Sequence, residues 1–216
     1  MFGRSYVALA AFMLLALSSL PASQQKTIVK GNASCDKLKI GIYYESLCPD
    51  SIRFVLTQLP RAYASLKEYI DITFVPFGKA YTKGDPDGDI EFVCQHGQIE
   101  CEGNRMQSCA LSFIPDPDKR AQFVPCVMNG TDPRVLGPKC AAEIGLNYGD
   151  VERCYATDEG LNLQLQAQSD TYAIQNPLNF VPTIVYNGDF NQDLQDSSLS
   201  DFEGTICRQL PCVSCT

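Results

Sequence analysis

Eleven cysteines in a chain of 216 residues limit what this sequence can fold into more than any other feature. Cysteines at such density stay as thiols only in a reducing compartment; in an exported chain they pair into a disulfide framework. The N-terminus decides between these cases. Arg4 gives a positive start, Val7 to Leu17 is apolar, and Ser18 to Ser23 holds small residues suited to cleavage. Residues 1–22 therefore read as a secretory signal, too short and wrongly flanked for a membrane span. No second long apolar run follows, so no membrane span is expected in the mature chain.

Parity then matters. If all but one of the eleven cysteines pair, a single thiol is left over. Cys48 is the natural candidate. It lies in Cys48-Pro49-Asp50-Ser51, where the place of a second redox thiol holds Ser51. An intermolecular disulfide elsewhere in the chain would satisfy parity equally. The tail carries Cys212-Val213-Ser214-Cys215, the one Cys-X-X-Cys of the chain. It reads first as a structural staple and second as a resolving pair for Cys48.

Charge excludes some functions. The net charge is -8, one unit more negative once Arg4 leaves with the signal. Such a chain has no electrostatic reason to bind nucleic acid or anionic lipid. The acidic composition fits a lysosomal or an extracellular destination on the secretory pathway. Asn32 and Asn129 head Asn-X-Ser/Thr tripeptides and are glycosylation candidates in an exported chain.

Apolar patterning supplies an outline. Leu38 to Tyr44 reads as a buried strand. Pro49 suits a first helical turn, and Ile52, Val55, Leu56 and Leu59 follow at helical spacing until Pro60 should kink or end the helix. Asp71 to Phe77 is a second strand, so the strands should be parallel with a helical crossover. Lys79 to Asp89 reads as a polar loop, and Val151 to Tyr172 as helical. Thr183 to Tyr186 is a strand followed by the hairpin signal Asn187-Gly188. A closing helix is predicted from a Ser200/Glu203 capping box and the stripe Leu199, Phe202, Ile206 and Leu210. Tyr43, Tyr44 and Phe77 read as core or rim. The expected organisation is a single α/β domain over residues 35–216, with a cysteine-rich helical insertion at about residues 78–150.

The densest motif is Cys94-Gln95-His96-Gly97, then Glu100-Cys101, Asn104 and Cys109. With Cys48 at a strand-to-helix junction and Val181-Pro182-Thr183 before a strand, the chain resembles the gamma-interferon-inducible lysosomal thiol reductase (GILT) family. All eight fixed positions of that family's signature are present at the family spacing. The resemblance extends over nearly the whole mature chain. It implies a thioredoxin-like fold, Cys48 as attacking cysteine, no cofactor, protein disulfides as substrates and an external thiol as reductant. It also implies that Pro182 is cis, sits beside the thiol and offers backbone to a substrate strand. Family reductases carry Cys-X-X-Cys where this chain ends the motif with Ser51.

The chemistry of Cys48 follows from its position. A thiolate attacks a disulfide, and a helix start offers partial positive charge and unpaired N–H groups that stabilise the anion. Asp50 opposes this if ionised beside it. Ser51 can donate a hydrogen bond to the thiolate, but its hydroxyl cannot resolve a mixed disulfide. Reactivity further requires that Cys48 be unbridged and reachable by solvent. Two functions stay open: a monothiol oxidoreductase, and a non-catalytic protein that keeps the scaffold and holds clients. His96 is the single histidine, and no Gly-X-Ser-X-Gly elbow accompanies it, so hydrolase chemistry is not expected. Its predicted role is to fix the turn between Cys94 and Cys101. Zinc would need closely spaced reduced Cys/His pairs, which the spacing does not offer, so no metal is expected.

Overall fold

The computed structural model describes residues 28–30, 36–84, 88 and 90–215. The signal segment and Asn32 lie outside the described residues. The central strand is β2 (Leu38–Tyr44), where alternation places Leu38, Ile40, Ile42 and Tyr44 in the core. β3 (Ile70–Pro76) runs parallel to it, from Leu38 opposite Ile70 to Tyr44 opposite Pro76. β6 (Thr183–Tyr186) pairs antiparallel on its other edge, with Ile42 opposite Ile184. The sheet order is β3-β2-β6. A separate ribbon joins β1 (Ile28–Lys30) to β7 (Val213–Cys215), tying the segment before β2 to the tail.

The crossover from β2 to β3 consists of α1 (Pro49–Thr57) and α2 (Leu59–Leu66). The break falls at Gln58, with Pro60 in the first turn of α2, where its missing N–H costs nothing. Phe54 on α1 meets Phe202 edge to face at 4.9 Å between ring centroids. Burying two rings of this size stabilises the fold by about 2–3 kcal/mol each.

The segment read as a polar loop contains a strand. β4 (Tyr81–Lys83) pairs with β5 (Glu91–Val93), Tyr81 opposite Val93. Three-residue strands are too short to show alternation, and tertiary packing fixes this pair instead. Phe77, fully buried, packs edge to face on Phe92 and on Tyr172.

Four helices follow: α3 (Gln98–Ser112), α4 (Pro117–Met128), α5 (Pro133–Ile144) and α6 (Tyr148–Tyr155). Disulfides join Cys94 to Cys101, Cys109 to Cys154 and Cys126 to Cys140. Met106, Ala110, Phe123 and Val127 belong to the same buried cluster as Ile40, Ile42 and Phe54, so these helices share the core of the sheet. The helical stretch expected over Val151 to Tyr172 is two helices, α6 and α7 (Asp158–Ile174). Thr157 separates them in an extended conformation, with its hydroxyl turned back onto the carbonyls of Arg153 and Cys154. Such back-bonding competes with helix continuation.

After β6, Asn187 and Gly188 adopt positive φ (52° and 88°), the primed-turn geometry their sequence implies. The returning chain makes only a bridge between Tyr186 and Asp189 and then enters α8 (Gln192–Ser200). The Ser200/Glu203 capping box does not form. Asp201 is the N-cap of α9 (Phe202–Gln209), its carboxylate accepting the Gly204 N–H at 3.0 Å, and the Ser200 hydroxyl bonds back to Ser197 at the end of α8. Asp201, one position on, has an equally suitable capping side chain and takes the role instead.

Candidate functional site

Cys48 lies four residues past the end of β2 and is the N-cap of α1 (φ -64°, ψ 123°), its carbonyl accepting the Ile52 N–H at 2.9 Å. Pro49 can follow because the first helical residue needs no N–H acceptor. Cys48 is the one free cysteine among the described residues. Its Sγ lies 3.9 Å from the carbonyl oxygen of Val181, and the Val181–Pro182 peptide is cis. Leu178, Val181 and half-buried Tyr43 enclose the sulfur. The thiol is much less open than the sequence reading required: Cys48 is 6% exposed. The cause is the 178–182 segment, which tertiary folding lays across it.

The other members of the motif take positions that differ from expectation. Ser51 is fully buried, and its Oγ accepts the Glu45 N–H at 3.4 Å; it makes no hydrogen bond to Cys48. Asp50 does not face the thiol as a lone charge, because Arg53 pairs with it at 2.7 Å one turn on. The Pro182 carbonyl accepts from Gln195 Nε2 at 2.8 Å and is thus committed inside the protein. Gln195 Oε1 accepts the Ile184 N–H at 2.7 Å. One buried amide therefore braces the proline turn and the start of β6. Cys207 and Cys212 are disulfide-bonded, so Cys212 is not a waiting resolving thiol.

The signature residues form a clamp on the segment that leads into Cys48. Gly97, with φ +82°, turns the chain into α3. Glu100, in the first turn and fully buried, reaches back: Oε1 accepts the His96 N–H at 3.0 Å, and Oε2 is 2.6 Å from His96 Nδ1. A negative side chain here also suits the helix N-terminus. Asn104 Oδ1 accepts the Ser46 N–H at 2.9 Å, and the Ser46 hydroxyl donates to the Glu100 carbonyl at 3.1 Å. The Cys94–Cys101 disulfide closes the turn, while Gln95 is exposed within it. Cys109 is spent on anchoring α6 through Cys154.

Glu45, which sequence reasoning passed over, completes the arrangement. It is fully buried at the end of β2; Oε1 accepts the Lys79 N–H at 2.7 Å, and Oε2 faces His96 Nδ1 at 3.4 Å. Burial, reinforced by the Glu100 carboxylate, pushes its carboxyl up to about 7, against the Lys79 amide and the charges of His96 and Lys79. Gly78 (φ +63°) is required beside it, because a Cβ there would lie 2.3 Å from Glu45 Cγ. The sequence did hold one signal for Glu45, a carboxylate between a buried strand and a cysteine. Gln195 gave none, since it sits among polar residues of a helix whose apolar positions are Leu194 and Leu199. Asn129 ends α4 and is exposed.

A free cysteine capping the first helix, beside a cis proline that opens a strand of a β3-β2-β6 sheet, is the layout of the thioredoxin-like class. The solved structure of BdbD from Bacillus subtilis shares the fold with TM-score 0.53 at 15% identity, covering 84% of this chain and 95% of that one. A putative protein-disulfide isomerase from Pseudomonas syringae matches with TM-score 0.51 at 13% identity, covering 79% and 94%. Within that class the sequence is specific. Residues 39–144 match the family described as gamma interferon inducible lysosomal thiol reductase (GILT). GILT-like protein 1 of Drosophila melanogaster is 34% identical over 81% of this chain and 76% of its own. The gamma-interferon-inducible lysosomal thiol reductase of Carassius auratus is 33% identical over 83% and 70%. The chain belongs to the GILT family.

Proposed function

We propose that this protein is a thiol–disulfide oxidoreductase in which Cys48 attacks protein disulfides without a resolving partner in its own motif. The observation that carries the reading is the free Cys48 at the α1 N-cap, its sulfur 3.9 Å from the carbonyl that precedes Pro182. The attacking species in such chemistry is a thiolate. The thiolate attacks one sulfur of a substrate disulfide, forming a Cys48–substrate bond and releasing the other substrate sulfur as a thiolate. An external thiol then attacks the Cys48 sulfur, frees the second substrate thiol and leaves a mixed disulfide with Cys48. A second external thiol displaces Cys48 and departs as the oxidised reductant. Two electrons pass from two external thiols to one substrate disulfide. The site of action is a lysosomal or extracellular compartment on the secretory route. Support comes from the signal-like N-terminus and the lysosomal names of relatives such as the Mus musculus protein, 30% identical over 69% of this chain.

A second reading has its own support. The 6% exposure of Cys48 and the engagement of Ser51 by Glu45 suit a protein that holds clients without turnover. One experiment separates the two: reduction of a denatured disulfide substrate at about pH 5 by wild type, Cys48→Ser and Ser51→Cys. Wild-type activity that disappears in Cys48→Ser establishes the monothiol enzyme. Activity absent from wild type but present in Ser51→Cys overturns the monothiol enzyme and supports a family member that has lost turnover, as the second reading requires.

A further inference from the structure

We propose that Glu45, His96 and Glu100 form a divalent-cation site, with zinc as the metal their donors suit best. The proposal is independent of the redox chemistry assigned to Cys48. Glu45 comes from the end of β2, while His96 and Glu100 come from the turn into α3. One donor atom from each lies within 4.8 Å of the others.

Three features distinguish this cluster from a casual group of acids. Both carboxylates have 0% exposure. Glu45 Oε2 is buried without a hydrogen-bond partner and points at His96 Nδ1, 3.4 Å away. The remaining oxygens are already fixed by backbone amides, Glu45 Oε1 by Lys79 and Glu100 Oε1 by His96. Each carboxylate thus has one oxygen held and one turned toward the imidazole, the supporting arrangement that metal ligands require.

Charge points the same way. When both carboxylates are ionised, two negative charges stand where water cannot solvate them. Burying such charge is costly unless a counter-charge joins it. A divalent cation supplies that charge in one step. Zinc bonds of about 2.1 Å in tetrahedral array set donor atoms about 3.4 Å apart. Glu45 Oε2 and His96 Nδ1 have that spacing. His96 Nδ1 and Glu100 Oε2, at 2.6 Å, are held by a proton. On binding, that proton passes to Nε2 of the same ring, which frees Nδ1 for the metal, and the two atoms part by roughly 0.8 Å to reach zinc spacing. A nitrogen donor disfavours magnesium and calcium, which take oxygen ligands. His96, 36% exposed, provides the entry path, and three protein ligands leave a fourth position for water. Bound metal would fasten Glu45, three residues before Cys48, to the start of α3.

The test uses the mature Cys48→Ser protein, so that the free thiol contributes no ligand. Equilibrium dialysis against Zn2+ at about pH 7.5, where the ligands are deprotonated, should give one zinc per chain. Glu45→Gln and His96→Ala should each lower the affinity at least about tenfold. Co2+ in place of zinc should give visible d–d bands in the Cys48→Ser protein itself, a readout that needs no ligand variant to fold. Zinc retained equally by both variants, or no zinc and no cobalt bands in the parent, overturns the proposal and leaves a proton as the sole occupant.

Discussion

The hydroxyl oxygen of Ser51 faces the backbone amide of Glu45 at 3.4 Å, and Cys48, one helical turn earlier, makes its contact with Val181 instead. The two members of the motif are thus directed to opposite supports. In Ser51→Cys, the substituted sulfur gives up a weak bond and lies at the spacing of a redox pair. The oxidised variant should contain a disulfide between Cys48 and the introduced thiol, and its thiol count after denaturation should fall from one to zero. Release of the mixed disulfide should accelerate at least about tenfold, because an internal thiol replaces a diffusing one. Peptide mapping without reduction checks the bond, and single-turnover kinetics checks the rate. A persistent free thiol in the variant would show that the Glu45 amide holds position 51 too firmly.

Asn104 should act through position and not through chemistry. Its side chain satisfies the Ser46 N–H in a fully buried setting. Asn104→Ala leaves that donor unpaired, at a cost of about 1–3 kcal/mol. The expected outcome is a lower Tm together with faster alkylation of Cys48, whose 6% exposure depends on the segment staying in place. Gln98→Ala, exposed on the same helix, should change stability by less than about 0.5 kcal/mol.

Glu45 makes stability depend on pH in a defined direction. Its folded carboxyl stands at about 7 against an ordinary 4.5, so in this range the folded state binds more protons than the unfolded state. The groups that set this are Glu100, which raises it with burial, and His96 and Lys79, which oppose it. Stability from this group is therefore complete below about pH 4.5 and is lost as pH rises through about 7. The full shift corresponds to about 3 kcal/mol. Glu45→Gln mimics the protonated side chain. With a chelator present throughout, urea denaturation should find the variant equal to wild type at about pH 4 and more stable above about pH 7. Parallel stability curves for the two proteins across this range would refute the assignment.

Gln195 carries two buried hydrogen bonds, to the Ile184 N–H and to the Pro182 carbonyl. Gln195→Ala should destabilise by about 2–4 kcal/mol, since both partners remain buried. The denaturation midpoint should move while the m-value stays constant. The reductase assay should lose more activity than the remaining folded fraction explains, because the turn that flanks Cys48 is no longer braced.

Sequence alone determined the elements that short-range physics governs. Leu38 to Tyr44 alternates cleanly, so its strand limits could be read directly. Pro60 fits a first helical turn, where no N–H is needed, so a helix boundary beside it was legible. Cys48 at a strand-to-helix junction, with a serine where a partner thiol would stand, was equally plain from residue types and spacing. Tertiary structure decided what depends on distant partners. β4 exists because Phe77 and Phe92 meet, and three residues are too few to advertise it. Glu45, His96 and Glu100 converge because β2 ends where α3 begins in space, not in sequence. The burial of Cys48 likewise comes from residues 178–182, brought over it by the pairing of β6 with β2. Periodicity and steric rules act over a few residues and are written in the chain. Burial, desolvation and buried hydrogen bonds are sums over neighbours that only the folded molecule assembles.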